Sequence, residues 1–322
     1  MPILNERRHL AEAVSRVLSQ DYAGPLEVVL AVGPSSDGTE ALAAELAAGD
    51  PRIRVVENPS GRTPDALNAA IAAASHDVLV RVDGHAALAD GYLATAVRTL
   101  EATGADNVGG LMAAEGTTPF ERAVARAMTS RFGVGGASFH TGGEAGPVDT
   151  VYLGVFRRSA LERVDGYDPA FTRAQDWELN HRIRQTGGIV WFTPELSVTY
   201  RPRASVARLA RQYFEYGRWR RFVVRQHRGT VTARYLAAPV AVAGIVAGTA
   251  MTLAGLIGPS WLLVGALAPL GYIGLVVGGS ILTGGGLDAA AWLRLPVAYA
   301  TMHLSWGWGF LTSPRGLASP RS

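Results

Sequence analysis

Two stretches of the chain, Tyr235–Ile257 and Trp261–Leu282, contain no charged side chain. Each is about 22 residues, roughly 33 Å as an α-helix, which matches the hydrocarbon thickness of a bilayer. Backbone groups inside hydrocarbon have to be satisfied within the segment, so both are predicted as spanning helices. Only Gly258, Pro259 and Ser260 separate them, so they should form a tight hairpin. A third apolar segment, Leu295–Leu311, is shorter and carries His303 and tryptophans. It is predicted as a third span, with a helix lying in the membrane interface as the alternative. With three crossings the tail, 312–322, falls outside.

The preceding residues are mixed and charged, as in a soluble domain. From Arg201 to Arg234 there are ten arginines and one acid, Glu215. Such a density next to a span marks the cytoplasmic side of a membrane. Val206, Leu209, Ala210, Tyr213, Phe214 and Gly217 fall on one helical stripe with Arg208, Arg211 and Glu215 off it, so 201–234 reads as a basic amphipathic juxtamembrane region. Membrane lipid is the partner this charge suits. Nucleic acid is not expected, because no recognition motif accompanies the arginines. The chain has no cysteine, which excludes disulfides and thiolate metal sites. The opening MPILNERRHL lacks the apolar core of a signal peptide. The charged N-terminal part is therefore expected on the cytosolic face of the inner (plasma) membrane, tied to a multi-pass anchor.

Within residues 1–200 strand and helix patterns alternate. Glu6–Gln20 places Leu10, Ala13, Val14, Val17 and Leu18 on one face, with Asn5 as N-cap. Leu26–Val32 is a continuous apolar strand, Asp37 or Thr39 can open the next helix, and Ile53–Val56 is a short strand. Thr63 and Pro64 start a helix reaching about Ala74. The run Asp77–Val82 is a further buried strand, stopping at Asp83, Gly84 and His85. This alternation predicts an α/β fold, Rossmann-like, with a largely parallel sheet covered by helices. In such sheets the carboxyl ends of the strands line the ligand crevice, which makes Asp83 a candidate for chemistry.

Five motifs in order carry a resemblance: Pro2-Ile3-Leu4-Asn5-Glu6, Ser35-Ser36-Asp37-Gly38-Thr39, Ala66-Leu67-Asn68, Asp83-Gly84-His85 and the later QDWELNHRI. Together, across about Met1–Arg228, they resemble family 2 glycosyltransferases of GT-A fold, and within that family the bacterial exopolysaccharide enzymes of succinoglycan type. The resemblance implies a hexosyl transfer from a nucleotide-diphosphate sugar to an acceptor hydroxyl, assisted by a divalent metal, Mn²⁺ or Mg²⁺. A diphosphate leaving group develops negative charge, which a cation held by hard oxygen ligands neutralises. Asp83 matches the family's metal-binding aspartate, and His85 stands where a second aspartate is usual; imidazole suits Mn²⁺ better than Mg²⁺. Asp176 matches the catalytic aspartate, the general base of an inverting displacement. Gln175 replaces the usual first acid of that pair, and Glu178 is expected to orient a neighbour or pair with Arg182. Asn5, Glu6, Arg62, Asn68 and Asp83 are the expected nucleotide-sugar contacts.

The pattern also departs from its relatives. Val32 and Gly33 occupy the place of acids that contact the base, leaving base identity open. The chain begins inside the first motif, so nearly all of the strand expected before Pro2 is absent; the sheet is then expected to hold unpaired groups unless the start lies upstream or another segment substitutes. Gly133–Gly146, glycine-rich around Phe139 and His140, is expected to be a loop over the acceptor side. Gln212, Arg218 and Trp219 only loosely echo the QxxRW motif of processive synthases, so they are candidate acceptor or diphosphate contacts and polymer synthesis is disfavoured. The reading is a membrane-bound enzyme adding one sugar to a polyprenyl-linked glycan. A polyprenyl-phosphate sugar synthase, or a non-catalytic membrane scaffold of the same fold, are the alternatives.

Overall fold

The computed structural model describes residues 1–317; the end of the expected tail, 318–322, lies outside the described residues. The chain forms two compact units, one of Met1–Ala113 with Ala137–Tyr200, the other of Ala114–Gly136 with Arg201 onward.

In chain order the elements are β1 (Pro2–Ile3), α1 (Leu10–Leu18), β2 (Val28–Val32), α2 (Thr39–Gly49), β3 (Ile53–Glu57), α3 (Thr63–Ala73), β4 (Val78–Val80), β5 (Ala87–Leu88), α4 (Tyr92–Thr103) and β6 (Asn107–Ala114). Then α5 (Pro119–Met128) and α6 (Arg131–Val134) enter the second unit. The first unit resumes with α7 (Ser138–Thr141), β7 (Gly146–Pro147), β8 (Tyr152–Arg157), α8 (Arg158–Arg163), α9 (Gln175–Gln185) and β9 (Val190–Tyr200). The second is completed by α10 (Val206–Gln226), α11 (Ala233–Ile257), a 3₁₀ turn over Ser260–Ala266, α12 (Leu267–Thr283), α13 (Ala289–Trp292) and α14 (Leu295–Thr312).

Parallel pairing joins β1, β2 and β3, in register Pro2 with Ala31 and Val28 with Ile53. The other strands form a second sheet, β4-β8-β6-β9-β5, with β7 on β9. Its pairs β4–β8, β6–β8, β5–β9 and β7–β9 are antiparallel. The expected parallel sheet is the one built by the first βαβ units, β1-β2-β3, and the second sheet adds antiparallel pairs. The reason is local: β8 arrives between β4 and β6 in the opposite sense, and an antiparallel neighbour needs no crossover helix. β1 is two residues long and pairs with one end of β2. Between the lower part of β2 and β4 lies a cavity of about 330 Å³, lined by Val28, Val29 and Val78 to Val80.

The apolar stripe of α1 packs as its periodicity requires: Leu10, Ala13, Val14 and Val17 are buried against Leu30, Leu93 and Leu100. The helix starts at Leu10, with His9 rather than Asn5 at its N-cap. Asn5 sits in left-handed backbone, φ 54°, and its carboxamide oxygen accepts the Ser36 N–H at 2.9 Å, so its capping group is spent on the neighbouring loop.

In the second unit α11 and the helix over Ser260–Thr283 are long and apolar enough to cross a membrane, with mean hydropathy 2.1 and 1.9. Only 17% of each apolar window is buried, unlike the core helix of a soluble protein. Gly248 and Gly265 face each other across the hairpin so closely that a Cβ on either would strike the other's carbonyl. Close backbone approach through small residues is how helices associate in lipid.

The amphipathic helix expected over 201–234 is α10, and its stripe divides: part packs on a helix, while Val206 stays exposed and Ala210 and Phe214 line an open cleft. Leu209, Tyr213 and Gly217 are buried, and Gly217 lies against the Trp306 backbone of α14 while Gly309 of α14 lies against Phe214. The third apolar segment, α14, touches both legs of the hairpin near its open end. Tyr299 hydrogen-bonds Thr283 at 2.7 Å, and Trp306 stacks on Tyr235 with Gly307 against Ala238.

Candidate active site

The site grows from the end of β4. Arg81 donates its backbone N–H to Gly154 at 3.1 Å, continuing the strand, and the chain then turns, with the Ala86 N–H on the Asp83 carbonyl at 2.9 Å. A charged side chain in a buried strand has to find partners, and Arg81 finds two. Its Nε and Nη2 each donate to Asp83 Oδ1 at 3.1 Å, and its Nη1 donates to Asp176. One buried guanidinium thus ties together the two aspartates, which are separated by more than ninety positions in sequence. Burial opposes the Arg81 charge, but Asp176 and Asp83 more than offset it and hold its pKa well above the ordinary range.

Asp176 occupies the first turn of α9, where the helix dipole favours a carboxylate. The preceding Ala174 holds left-handed backbone, φ 59°, a strained conformation for a side chain with a Cβ and of the kind that gathers at functional sites. The Asp176 side chain keeps 28% of its surface open, enough for a hydroxyl to reach it. Its pKa is raised: burial is the largest cause, Asp83 adds to it, and Arg81 pulls the other way. A raised carboxylate is a better proton acceptor than a free one, as a general base requires. Glu178, on another face, pairs with Arg182 at 2.7 Å as expected.

Gly84 lets the first loop close on this turn, since a Cβ there would meet Glu6 Cγ at 2.9 Å and Ile3 Cδ1 at 3.0 Å. Glu6 Oε1 lies 2.7 Å from His85 Nδ1. The structure therefore gathers Glu6, Arg81, Asp83, His85 and Asp176. Asn5 is next to this group but bound to Ser35 and Ser36. Asn68 is engaged structurally: its carboxamide accepts from the Tyr167 N–H at 2.8 Å and donates to the Tyr167 carbonyl at 2.7 Å. Tyr167 is buried in the electrostatic field of Arg81 and Asp176, with its pKa raised chiefly by burial. Arg62 pairs with Asp65 at 2.8 Å and reaches the Pro169 carbonyl at 3.4 Å. Gln212, Arg218 and Trp219 belong to the second unit. There Gln212 donates to Tyr216, Arg218 pairs with Glu215, and Trp219 is buried against Phe222. Arg81 and Tyr167 escaped sequence reasoning. The signal for Arg81 was present, a single charge in an apolar strand.

Among the described residues no three His, Asp or Glu side chains form a metal cage. The available donors are the Asp83 carboxylate and the His85 imidazole, whose Nδ1 is oriented by Glu6. Two protein donors fit a small hard cation that takes its remaining ligands from phosphate oxygens and water. A carboxylate behind a ligating imidazole is the usual supporting arrangement.

Residues 1–165 match the model of "Glycosyl transferase family 2". The chain is also 34% identical over 318 residues to the succinoglycan biosynthesis protein ExoA of Rhizobium meliloti (strain 1021), covering 96% of this chain and 92% of that one. The chain belongs to glycosyl transferase family 2. Its fold is that of a mannosyltransferase, PcManGT from Pyrobaculum calidifontis, solved with GDP-Man and Mn²⁺: TM-score 0.60, 22% identity, 95% of this chain and 85% of that chain. A TarS fragment from S. aureus solved with UDP-GlcNAc is similar at TM-score 0.50 and 14% identity, over 97% and 89% of the two chains. The family 2 resemblance read from five motifs thus extends over nearly the whole length, with the GT-A fold it implied.

Proposed function

We propose that this family 2 enzyme is a membrane-bound inverting glycosyltransferase. It moves one sugar from a nucleotide-diphosphate sugar to a polyprenyl-linked glycan on the cytosolic face, in exopolysaccharide synthesis. The observation that carries the reading is the buried Arg81 bridge, which sets Asp176, with its raised pKa, beside Asp83. Asp176 takes the proton of the attacking hydroxyl as the acceptor oxygen displaces the nucleotide diphosphate from the anomeric carbon. Asp83 and His85 would hold a divalent cation, which supplies charge neutralisation for the diphosphate. Arg81 keeps Asp176 oriented and ionised, and Glu6 fixes the His85 ring. The name of the R. meliloti relative supports exopolysaccharide synthesis, and the nucleotide sugars in the titles of the similar structures support this donor class. The two apolar helices support a membrane anchor and hence a lipid-borne acceptor.

Membranes containing the full chain, incubated with labelled nucleotide sugars and divalent metal and then extracted into solvent, should yield a lipid-linked product. Asp83→Ala should abolish it, and Asp176→Asn should cut it at least about a hundredfold. Transfer undiminished in Asp176→Asn would instead fit a phosphate nucleophile that needs no base. Transfer undiminished in Asp83→Ala would remove the cation site from the reading.

A further inference from the structure

The second unit contains an apolar cleft with no part in donor chemistry. It runs between α10, α11 and α14, has a volume of about 580 Å³, and is walled by Phe214, Ile245, Val246, Leu304 and Trp308. That is the size of a small-ligand site. It is open: Val246 is 55% and Trp308 51% exposed. An exposed apolar patch on a helix long enough to cross a membrane is at home against acyl or prenyl chains. The cleft also has a charged edge. Arg211 is exposed at its rim, and Glu215, the one acid of α10, is committed to Arg218 at 2.8 Å. α10 carries six arginines against that acid, so the Arg211 charge is left uncompensated on its own helix.

A single apolar groove with an arginine at its mouth fits an amphiphile with one chain and an anionic head. A guanidinium matches phosphate geometry with two parallel N–H donors. We propose that this cleft seats the chain of a polyprenyl-phosphate-type lipid, with Arg211 on its phosphate. This places the acceptor lipid of the proposed reaction on α10, α11 and α14. It rests on that reaction only for the identity of the lipid.

The test uses the full chain in phosphatidylcholine nanodiscs and a polyprenyl phosphate bearing a photoactivatable diazirine in its chain. Cross-links are expected on the α11 and α14 peptides that contain Val246 and Leu304. Val246→Trp and Ser305→Trp, each filling the cleft, should cut labelling about tenfold. Arg211→Gln should weaken binding about tenfold, the loss of one charge-assisted hydrogen bond. Unlabelled polyprenyl phosphate should compete, whereas phosphatidylglycerol and neutral polyprenol should not. Equal competition by phosphatidylglycerol, equal competition by polyprenol, or labelling that survives both tryptophan variants would overturn the proposal. Two filling variants keep the test decisive if one fails to fold, as judged by gel filtration. Because binding is read rather than turnover, the two readings fail separately. A wrong glycosyltransferase reading shows as no nucleotide release from any donor while labelling persists. A wrong cleft shows as unaffected labelling in a protein that still transfers sugar.

Discussion

Removing the Arg81 guanidinium would leave Asp83 and Asp176 facing each other without a shared cation. Arg81 lowers the Asp176 pKa and Asp83 raises it, so Arg81→Met should move that pKa further above its ordinary 3.8. A general base works ionised, so the acid limb of the kcat–pH profile should lie above 3.8 in the native enzyme and shift to higher pH in Arg81→Met. Arg81→Lys, which keeps the charge, should shift it less. A limb that stays in place in Arg81→Met would free Asp176 from this control. Asp176→Asn should cost about 10²- to 10⁴-fold in kcat, the usual worth of a positioned base, with the donor KM little changed. The Tyr167 hydroxyl is buried beside the Arg81 guanidinium, whose hydrogen bond and charge pull its pKa down against the larger effect of burial. Tyr167→Phe should therefore cost about 0.5–1.5 kcal/mol of unfolding free energy, the net worth of one hydrogen bond. No loss in thermal or denaturant unfolding would mean that the hydroxyl contributes no such bond.

Helix α9 is anchored by ion pairs from Asp176 to Arg81 and from Arg184 to Asp149, and by Arg182, as well as by packing. Arg182 pairs with Glu178, which is almost fully buried, and also donates to the Val164 and Gly166 carbonyls. Arg182→Ala would remove the ion-pair partner of a buried carboxylate and should destabilise the first unit, by up to about 3–5 kcal/mol. Replacing both partners with apolar residues should recover most of that, measured by chemical unfolding. Between α10 and α14 the geometry depends on two glycines. A Cβ at Gly217 would run into the Trp306 carbonyl, backbone that cannot swing aside. Gly217→Leu should thus cost at least about 1–3 kcal/mol by overpacking, while Gly271→Leu, where a Cβ meets open space, should cost little.

For the second unit as a whole, the packing of α14 bears on the expected number of membrane crossings. Its early residue Tyr299 meets Thr283 at the end of α12, and its late residues Trp306 and Gly307 meet Tyr235 and Ala238 at the start of α11. Those two points are the open ends of one hairpin, although His303 also reaches Tyr272 further along α12. With the hairpin set across a bilayer, α14 is therefore expected to pack at its mouth and not to cross as a third span. The native chain has no cysteine, so single cysteines report sidedness without background. Cysteines at Leu293 and Thr312 should react with a membrane-impermeant maleimide from the same side as one at Arg228, and a cysteine at Gly258 from the other. Labelling of 293 and 312 from opposite sides would restore a third crossing.

Sequence alone was enough where a property is local or periodic. The hairpin of apolar helices follows from uncharged length, the α1 face from its 3.6-residue spacing, and the Glu178–Arg182 pair from i,i+4 geometry. Asp83 and Asp176 were legible because each sits at a strand or helix end within a recognisable motif. Their connection was not, because it depends on β8 pairing antiparallel beside β4 and bringing α9 back to Arg81. For the same reason the fate of Asn68, tied to Tyr167 ninety-nine positions away, had no sequence signal. The apolar stripe of α10 fits a membrane surface and a helix partner equally well. Only tertiary packing shows that α14 covers part of it, through Gly217 and Gly309. Periodicity tells which face of an element is apolar; what covers that face is a long-range contact, and long-range contacts belong to the folded structure.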